Sequence, residues 1–489
     1  MIFSILLISV CQQPVPDSPA SRLQLHQRQA IHLQSGAEIL SFDDLSESLF
    51  IIGANGLSVY NLNPAFQNPL SLRVDKWDGN LSNWEPTSIA IDPLNRGFGV
   101  ITWVPSPKEL QHGIAMIFDT NTLNRITVLD AGYHPDCADF SPDGSKLVIA
   151  NECEPDHTDL QGGITIFDLQ SINSQADFLG SPITGASVNF QSPFLNDHVD
   201  LNTLRISDAH KTKPWLDIEP EYLAVFNDGV WVSLQENNAL ARFEFQSNQW
   251  SSIIPLGSSS APFDSSDEGV IRIVDQSPIN MLHQPDTIKH FDSNGASYLL
   301  LANEGEQGDN DSIRFRDAIQ QNLIDPVVAK KLFNSSNADL VISTIDGDID
   351  SDGDIDEPAA LGSRSISIHD AATGKQIWNS GSQIELVTSM VFPDLYNDND
   401  SRSDQSGPEP EGLEIGYIQG RTIGFVGLER AHAILMYDLS NPFAPALLDA
   451  VALDASCRPE GLKFIQRGDQ SFLAVAAEKC DELILFEIR

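Results

Sequence analysis

The stretch Pro410-Glu-Gly-Leu-Glu-Ile-Gly-Tyr-Ile-Gln-Gly-Arg-Thr-Ile-Gly-Phe-Val-Gly-Leu-Glu429 decides the fold. Apolar side chains alternate with other residues in both halves, and Gln419-Gly420 between them is a two-residue turn signal, so the stretch predicts a β-hairpin. It opens with proline and an acidic residue and closes with a glutamate. A turn at Gln419-Gly420 places Glu411 within one residue of facing Glu429, so we expect the two carboxylates to lie together.

The same pattern recurs along the chain, as in repeat architectures. Four more full copies and two weaker ones occur, opening at Ala37, Pro86, Pro135, Pro220, Pro285 and Pro459. A third short run that ends in an aromatic residue and aspartate often follows, as at Phe118-Asp119. Three or four short strands per copy predict an all-β fold: a β-propeller of seven four-stranded blades over residues 35–489, with long loop insertions in the middle blades.

The composition limits the classes of function. Hydrophobic residues make up 41% of the 489 residues, which supports a sizeable core. Asp and Glu number 69 against 28 Lys and Arg, a net charge of −41. Such a field repels phosphate backbones and anionic lipids, so we expect no nucleic-acid partner. It suits either cationic ligands or plain solubility, and both interpretations stay open.

The N-terminus indicates export. The apolar run in residues 1–11 is too short to span a bilayer and is typical of a signal peptide. Ile8-Ser-Val-Cys11 matches a lipoprotein cleavage box, although no Lys or Arg precedes the run and Val10 is bulky for its position. We expect Cys11 to be lipidated and residues 12–34 to form a flexible tether. The predicted location is the outer membrane or periplasm as a lipoprotein, or the extracellular space, with membrane contact only through the anchor.

The remaining four cysteines fit an oxidising compartment. The register of the last hairpin places Cys457 opposite Cys480, which predicts a cross-strand disulfide. Cys137 and Cys153 are close to each other in their hairpin but out of register. A second disulfide between them is the further expectation.

An aspartate-rich loop at residues 346–357 predicts a calcium site. Its oxygens occur at alternate positions and a glycine, Gly353, allows the sharp turn, as in the first half of an EF-hand loop. Ala359 replaces the bidentate glutamate of that motif. The alternative is a solvated acidic loop, but closely spaced aspartates repel one another without a cation. We expect structural Ca²⁺ held by Asp346, Asp348, Asp350, Asp352, Asp354 and Asp356.

The repeated acids form the second candidate site. In a propeller the first strand of each blade lines the central channel, so the acids that open and close the hairpins should meet at one channel mouth. They would bind a metal or a cationic ligand, or else cap strands as a structural device. The predicted set is Asp136, Glu152, Glu221, Glu236, Asp286, Glu304, Glu411, Glu429, Glu460 and Glu478.

Several of these stretches resemble one known family. Gly407 to Arg430, Tyr133 to Pro155, and Glu219 to Asn238 are similar to the choice-of-anchor I family of bacterial surface proteins. The mesenchyme-specific cell-surface glycoproteins of animals look like its relatives, and members are often labelled alkaline phosphatase-like. The resemblance implies a propeller, an extracytoplasmic location and varied anchors, but no settled reaction.

Two functions remain open at this point. The first is a calcium-stabilised binding or scaffold protein at the cell envelope, a monomer that binds a protein, glycan or small molecule. The alternative is a metal-dependent hydrolase, phosphatase- or phytase-like or lactonase-like, acting at the acidic channel mouth. The chain contains no Gly-x-Ser-x-Gly elbow and no His-Glu-x-x-His motif. This absence favours the binding protein.

Overall fold

The computed structural model describes residues 23–62, 70–73, 81, 83–108, 111–153, 160–180, 182–207, 209–306, 311–332 and 337–489. The expected signal peptide, Cys11 and the first part of the expected tether lie outside these ranges. None of the helices in them is long and apolar enough to span a membrane.

The described residues form seven four-stranded antiparallel sheets, called blades 1–7 in chain order. Blade 1 contains β2 (Ile39–Asp43), β3 (Ser48–Gly53), β4 (Gly56–Asn61) and β5 (Leu70–Arg73). Blade 2 contains β6 (Trp84–Ile91), β7 (Phe98–Pro105), β8 (Gly113–Asp119) and β9 (Arg125–Gly132). Blade 3 contains β10 (Pro135–Phe140), β11 (Lys146–Asn151), β12 (Gly163–Asp168) and β13 (Ala186–Asn189). Blade 4 contains β14 (Pro220–Val225), β15 (Gly229–Leu234), β16 (Ala239–Glu244) and β17 (Gln249–Pro255).

The other three blades follow the long insertions. Blade 5 contains β20 (Ile288–Ser293), β21 (Ala296–Asn303), β25 (Ser365–Asp370) and β26 (Gln376–Asn379). Blade 6 contains β27 (Pro410–Ile418), β28 (Arg421–Leu428), β29 (Ala433–Asp438) and β30 (Ala446–Ala452). Blade 7 contains β31 (Arg458–Arg467), β32 (Gln470–Glu478), β33 (Glu482–Ile488) and, at its edge, β1 (Leu25–His32).

The blades close into a ring. The first strand of each blade contacts the first strand of the next, and β31 of blade 7 contacts β2 of blade 1. These seven inner strands surround a central channel, so the predicted all-β propeller is confirmed. The apolar core lies between neighbouring blades, where, for example, Val148 of blade 3 packs in one cluster with Val232 and Trp250 of blade 4.

The ring is closed by the N-terminal strand, which corrects the expected tether. Leu25–His32 pairs antiparallel with Glu482–Ile488, so residues within the predicted 12–34 tether belong to blade 7. Leu25 is buried, and Arg28 pairs with Glu487 across the two strands. The hydrophobic pattern of this strand is weak because a strand at the edge of a sheet exposes most of its side chains, and this one is polar.

The insertions form an extra layer. The strands β18 (Ser258–Ser259), β19 (Asn280–Leu282), β22 (Ser312–Arg314), β23 (Val341–Ser343) and β24 (Ala359–Ala360) make one five-stranded sheet. The helices are α1 (Phe315–Gln320), α2 (Pro326–Leu332) and α3 (Gln383–Val391), and short 3₁₀ turns span Gln175–Leu179, Leu201–Thr203 and Pro214–Leu216. Phe315 and Leu340 belong to the separate core of this layer. Buried Arg364, which directly precedes β25 of blade 5, lies over the ring of Phe263 in this core and also pairs with Glu385 of α3 at 2.7 Å.

The cysteines divide into one pair and two free thiols. Cys457 and Cys480 form the disulfide that the register predicts, with a Cα–Cα distance of 4.9 Å. Cys137 and Cys153 are not bonded, so the second expected disulfide is wrong. Cys137 lies in a β-bulge and lines the channel, whereas Cys153 lies beyond the end of β11 and donates to the carbonyl of Tyr133. Burial raises the pKa of both thiols to about 12.

Candidate functional site

A β-bulge recurs at the opening of the inner strands. In blade 3 Pro135 pairs with Asn151 and Ala138 with Ile149, so one extra residue lies between these pairs. The same shift occurs between the opening proline and the third residue after it in blades 4, 6 and 7. The acid after the proline therefore lies in the bulge and not in the regular ladder. A bulge re-aims side chains, which is how one short motif can direct a carboxylate into the channel in several blades.

All ten predicted acids form one electrostatic network, called the acidic mouth. Burial raises the pKa of Glu221, and the charges of Glu152, Glu236, Asp136 and Asp286 raise it further. The same two causes raise the pKa of four other members, with neighbouring acids of the mouth as the charges: Glu236, Glu304, Glu411 and Glu460. Glu478 is the tenth member, because its charge raises the pKa of Glu460.

Two members of the acidic mouth have pKa values close to neutrality. Burial, reinforced by Asp136 and Glu306, raises the pKa of Asp286 to about 7. Burial and Glu409 raise the pKa of Glu429 to about 7, although Arg430 and Arg458 oppose the shift. Carboxyl groups that perturb one another in this way are a feature of functional sites, and also of structural networks.

Sequence reasoning missed two further acids of the mouth, in the blades with weak copies of the motif. Glu38 precedes β2 without a proline, and Glu85 precedes its proline instead of following it. The charges of Glu478 and Glu85 both raise the pKa of Glu38, which shows that the acids of blades 7, 1 and 2 are neighbours. With them, every blade places a carboxylate at this end of the channel. The pattern that could have identified them is an acidic residue within one position of the start of each repeat copy, whether or not a proline adjoins it.

The channel has two chambers of different charge. A cavity of about 310 Å³ at the acidic mouth is lined by Glu38, Glu85, Asp136 and Glu460. A second cavity of about 580 Å³ is lined by Lys289 and Lys463 together with four acids, Asp44, Asp92, Asp139 and Glu414. Cys137 and Tyr222 line both cavities and so mark the boundary between them. Of these two cavities, only the second is lined by lysine side chains.

Arginines neutralise one side of the acidic mouth. Arg402 and Arg430 both pair with buried Glu409, and Arg458 pairs with Glu429 at 3.1 Å. Carboxylate oxygens of Glu304, Glu409 and Glu429 lie within 4.8 Å of one another. Arg364 does not share this role, because it is buried against Glu385. The structural alternative, in which the acids cap strands, applies to Glu38, because its Oε1 accepts a hydrogen bond from the Ala54 N–H at 3.1 Å.

The aspartate loop is only partly assembled. Oxygens of Asp348, Asp350 and Asp356 lie within 4.8 Å of one another. Asp346 is directed elsewhere, because its Oδ2 accepts from Nε of Arg205 at 2.8 Å. The side chains of Asp352 and Asp354 are not part of the three-residue group, although Asp352 Oδ1 accepts from the N–H of Asp354. The charge of Asp352, followed by those of Asp356 and Asp348, raises the pKa of Asp350.

The fold and site define a β-propeller with an acidic channel mouth. Residues 38–442 match the choice-of-anchor I domain, and the chain belongs to that family. A choice-of-anchor domain implies a surface or exported protein, and on a propeller fold it fits a surface binding or scaffold role. The hydrolase alternative receives no support from the similarities found.

Two curated proteins show partial similarity. Gigasin-3a of Magallana gigas is 33% identical over 123 residues, which are 23% of this chain and 43% of that protein. The mesenchyme-specific cell surface glycoprotein of Strongylocentrotus purpuratus is 26% identical over 240 residues, 39% of this chain and 31% of that protein. The chain thus spans less than half the length of either relative.

Solved structures are similar over the whole length but distant. The Cps50 (Swd1) β-propeller domain of Myceliophteria thermophila has a TM-score of 0.48 and 8% identity, covering 95% of this chain and 100% of that one. The hydrazine synthase of Kuenenia stuttgartiensis has a TM-score of 0.49 and 10% identity, covering 94% and 97%.

Proposed function

We propose that this protein is an exported, lipid-anchored propeller that acts as a binding or scaffold protein at the cell envelope. Its binding face is the acidic mouth of the channel. The observation that carries the proposal is the convergence of carboxylates from every blade on one end, with Lys289 and Lys463 in the other chamber. Such a surface favours a positively charged group on a protein, glycan or small molecule.

Binding of a cationic probe tests whether the acidic mouth is the binding face. We expect hexalysine to bind the intact chain in a salt-dependent way, and Glu411→Gln/Glu460→Gln to weaken binding about tenfold, measured by calorimetry. The matched control is Asp228→Asn/Glu244→Gln, which removes the same charge from solvent-exposed positions of blade 4. An equal loss in both variants would show that net charge, and not the acidic mouth, attracts the probe.

Lipid attachment through Cys11 is the second part of the proposal. The apolar run before Cys11 and the polar segment after it support this, and β1 begins at Leu25, so a tether of 12–24 would join the anchor to blade 7. We expect Cys11→Ser to move the protein from the membrane fraction to the soluble exported fraction of the expressing cell. A serine variant that stays with the membrane would contradict lipidation.

Calcium stabilisation through the aspartate loop is the third part. Asp348 Oδ1 and Oδ2 already accept the N–H groups of Ser351 and Gly353, which curls the loop around the three gathered carboxylates. Gly353 has φ 101°, a left-handed conformation that favours glycine. Oxygen ligands of this kind suit Ca²⁺. The loop connects β23 and β24, so an ion would stabilise the insertion sheet.

A further inference from the structure

Three carboxylates meet where blade 3 adjoins blade 4. Asp136 lies in the bulge of β10, Glu152 directly follows β11, and Glu221 lies in the bulge of β14. One oxygen from each lies within 4.8 Å of the other two. Two oxygens bound to one Ca²⁺ at 2.3–2.6 Å can be at most about 5 Å apart, so this spacing is compatible with a shared ion.

Among the described residues, Glu221 has no partner that would stabilise its charge. The residue is 9% exposed, and its carboxylate makes no hydrogen bond or ion pair within the described part of the chain. The groups that most strongly influence it besides burial are four other acids. Oε2 of neighbouring Glu236 is also buried without a hydrogen-bond partner among the described residues. A buried carboxylate in this situation needs a proton or a cation, because desolvation without compensation is costly.

A second cluster of three carboxylates in the acidic mouth differs from the first because arginines pair with it. Its oxygens, from Glu304, Glu409 and Glu429, also lie within 4.8 Å of one another. Arg402 and Arg430 bind Glu409, and Arg458 binds Glu429. The protein thus supplies its own cations on that side. Beside Asp136, Glu152 and Glu221 stands His134, whose Nδ1 lies 2.9 Å from Oε2 of Glu152. Glu221 has no such basic partner among the described residues.

We propose that Asp136, Glu152 and Glu221 bind a calcium ion, with Glu236 supporting the site from blade 4. The inference deepens the proposed function, because it names one cation that the acidic mouth takes. Three carboxylate ligands favour a hard divalent cation, and Ca²⁺ accepts such an all-protein set of oxygens more readily than Mg²⁺, which usually keeps several waters. Asp136 also lines the 310 Å³ cavity, so the site is reachable from the channel.

Calcium binding is measured by equilibrium dialysis of the intact chain carrying Asp350→Asn, which disables the exposed loop. We expect one Ca²⁺ per chain in this background, and at least about tenfold weaker binding after Glu221→Gln. Glu244→Gln is the control, since it removes a charge from an exposed position of blade 4 outside the acidic mouth; it should leave calcium affinity unchanged.

Two results would overturn the site: no calcium bound in the Asp350→Asn background, or full affinity in the Glu221→Gln variant. Asp136→Asn provides a second test if Glu221→Gln fails to fold, with circular dichroism as the check. Hexalysine binding in the presence of a chelator separates this inference from the proposed function. Loss of calcium binding with hexalysine binding intact contradicts only the calcium site. The reverse result contradicts only the cationic binding face.

Discussion

The free energy of unfolding is expected to fall as the pH rises from about 6.5 to about 8 in buffer with a chelator. Asp286 and Glu429 have pKa values of about 7 in the folded protein, against ordinary values of 3.8 and 4.5. In this range the folded chain therefore holds protons that the unfolded chain has released. Each such proton lowers stability by about 1.4 kcal/mol per pH unit until the folded pKa is passed.

Two buried histidines change the free energy of unfolding in the opposite direction at lower pH. Burial lowers the pKa of His283 and His369 to about 4, so below their ordinary value of 6.5 the unfolded chain takes up protons that the folded chain does not. Stability from these residues is lost as the pH falls from about 6.5 to about 4, which opposes the gain from the two carboxyl groups over that range. Above it, both histidines are mostly neutral in both states, which isolates the carboxylates.

Guanidinium unfolding followed by tryptophan fluorescence measures how the free energy of unfolding changes with pH. Asp286→Asn and Glu429→Gln should each make the decline with pH shallower, because each removes one of the protons held in excess. Glu244→Gln, at an exposed position of blade 4, should leave the slope unchanged. Stability that is flat or increasing between these pH values would show that the acids of the mouth are not perturbed as described.

Calcium is expected to stabilise the protein by about 2.7 kcal/mol at a free concentration one hundred times the dissociation constant of the aspartate loop. The reason is that Asp348, Asp350 and Asp356 lie close together in the folded chain without a basic partner inside the group. The ion removes their repulsion, whereas the unfolded chain does not hold the three together. We expect Asp350→Asn to abolish the calcium-dependent increase in melting temperature.

The measurement is made in the Glu221→Gln background so that the channel does not contribute. Glu268→Gln is the control, because this half-exposed acid pairs with Arg272 in a different insertion. It should retain the full calcium response. An equal calcium response in the Asp350→Asn variant and its parent would exclude the aspartate loop as the source of stabilisation.

The propeller could be predicted because each of its hairpins is formed by residues that are close together in the chain. Alternation and turn residues define each hairpin within about twenty residues, as in Pro410 to Glu429, and the same register located the Cys457–Cys480 disulfide. The polar edge strand Leu25–His32 was missed because its partner, Glu482–Ile488, lies at the other end of the chain. Hydrophobic periodicity carries no information about such a pairing.

The candidate site was predictable only in outline. The motif identified ten acids, yet Glu85 escaped because its proline follows it, and Glu409 because it precedes the hairpin. Because the acids occupy the same positions in each repeat, the sequence does not indicate which of them have basic partners. In the structure Glu429 has arginine partners, whereas Glu221 has none among the described residues.

The sequence by itself determined the repeated hairpins, the position of an acid at most blade openings, and the disulfide of the last blade, because hairpin register depends on residues close in the chain. Only the tertiary structure decided the bulges that turn those acids into the channel, the joining of Glu38 and Glu85 to them, and the free state of Cys137 and Cys153. It also decided which carboxylates meet arginines, since Arg402 reaches Glu409 from an insertion. These outcomes depend on how blades and insertions pack, and that packing joins residues far apart in the chain.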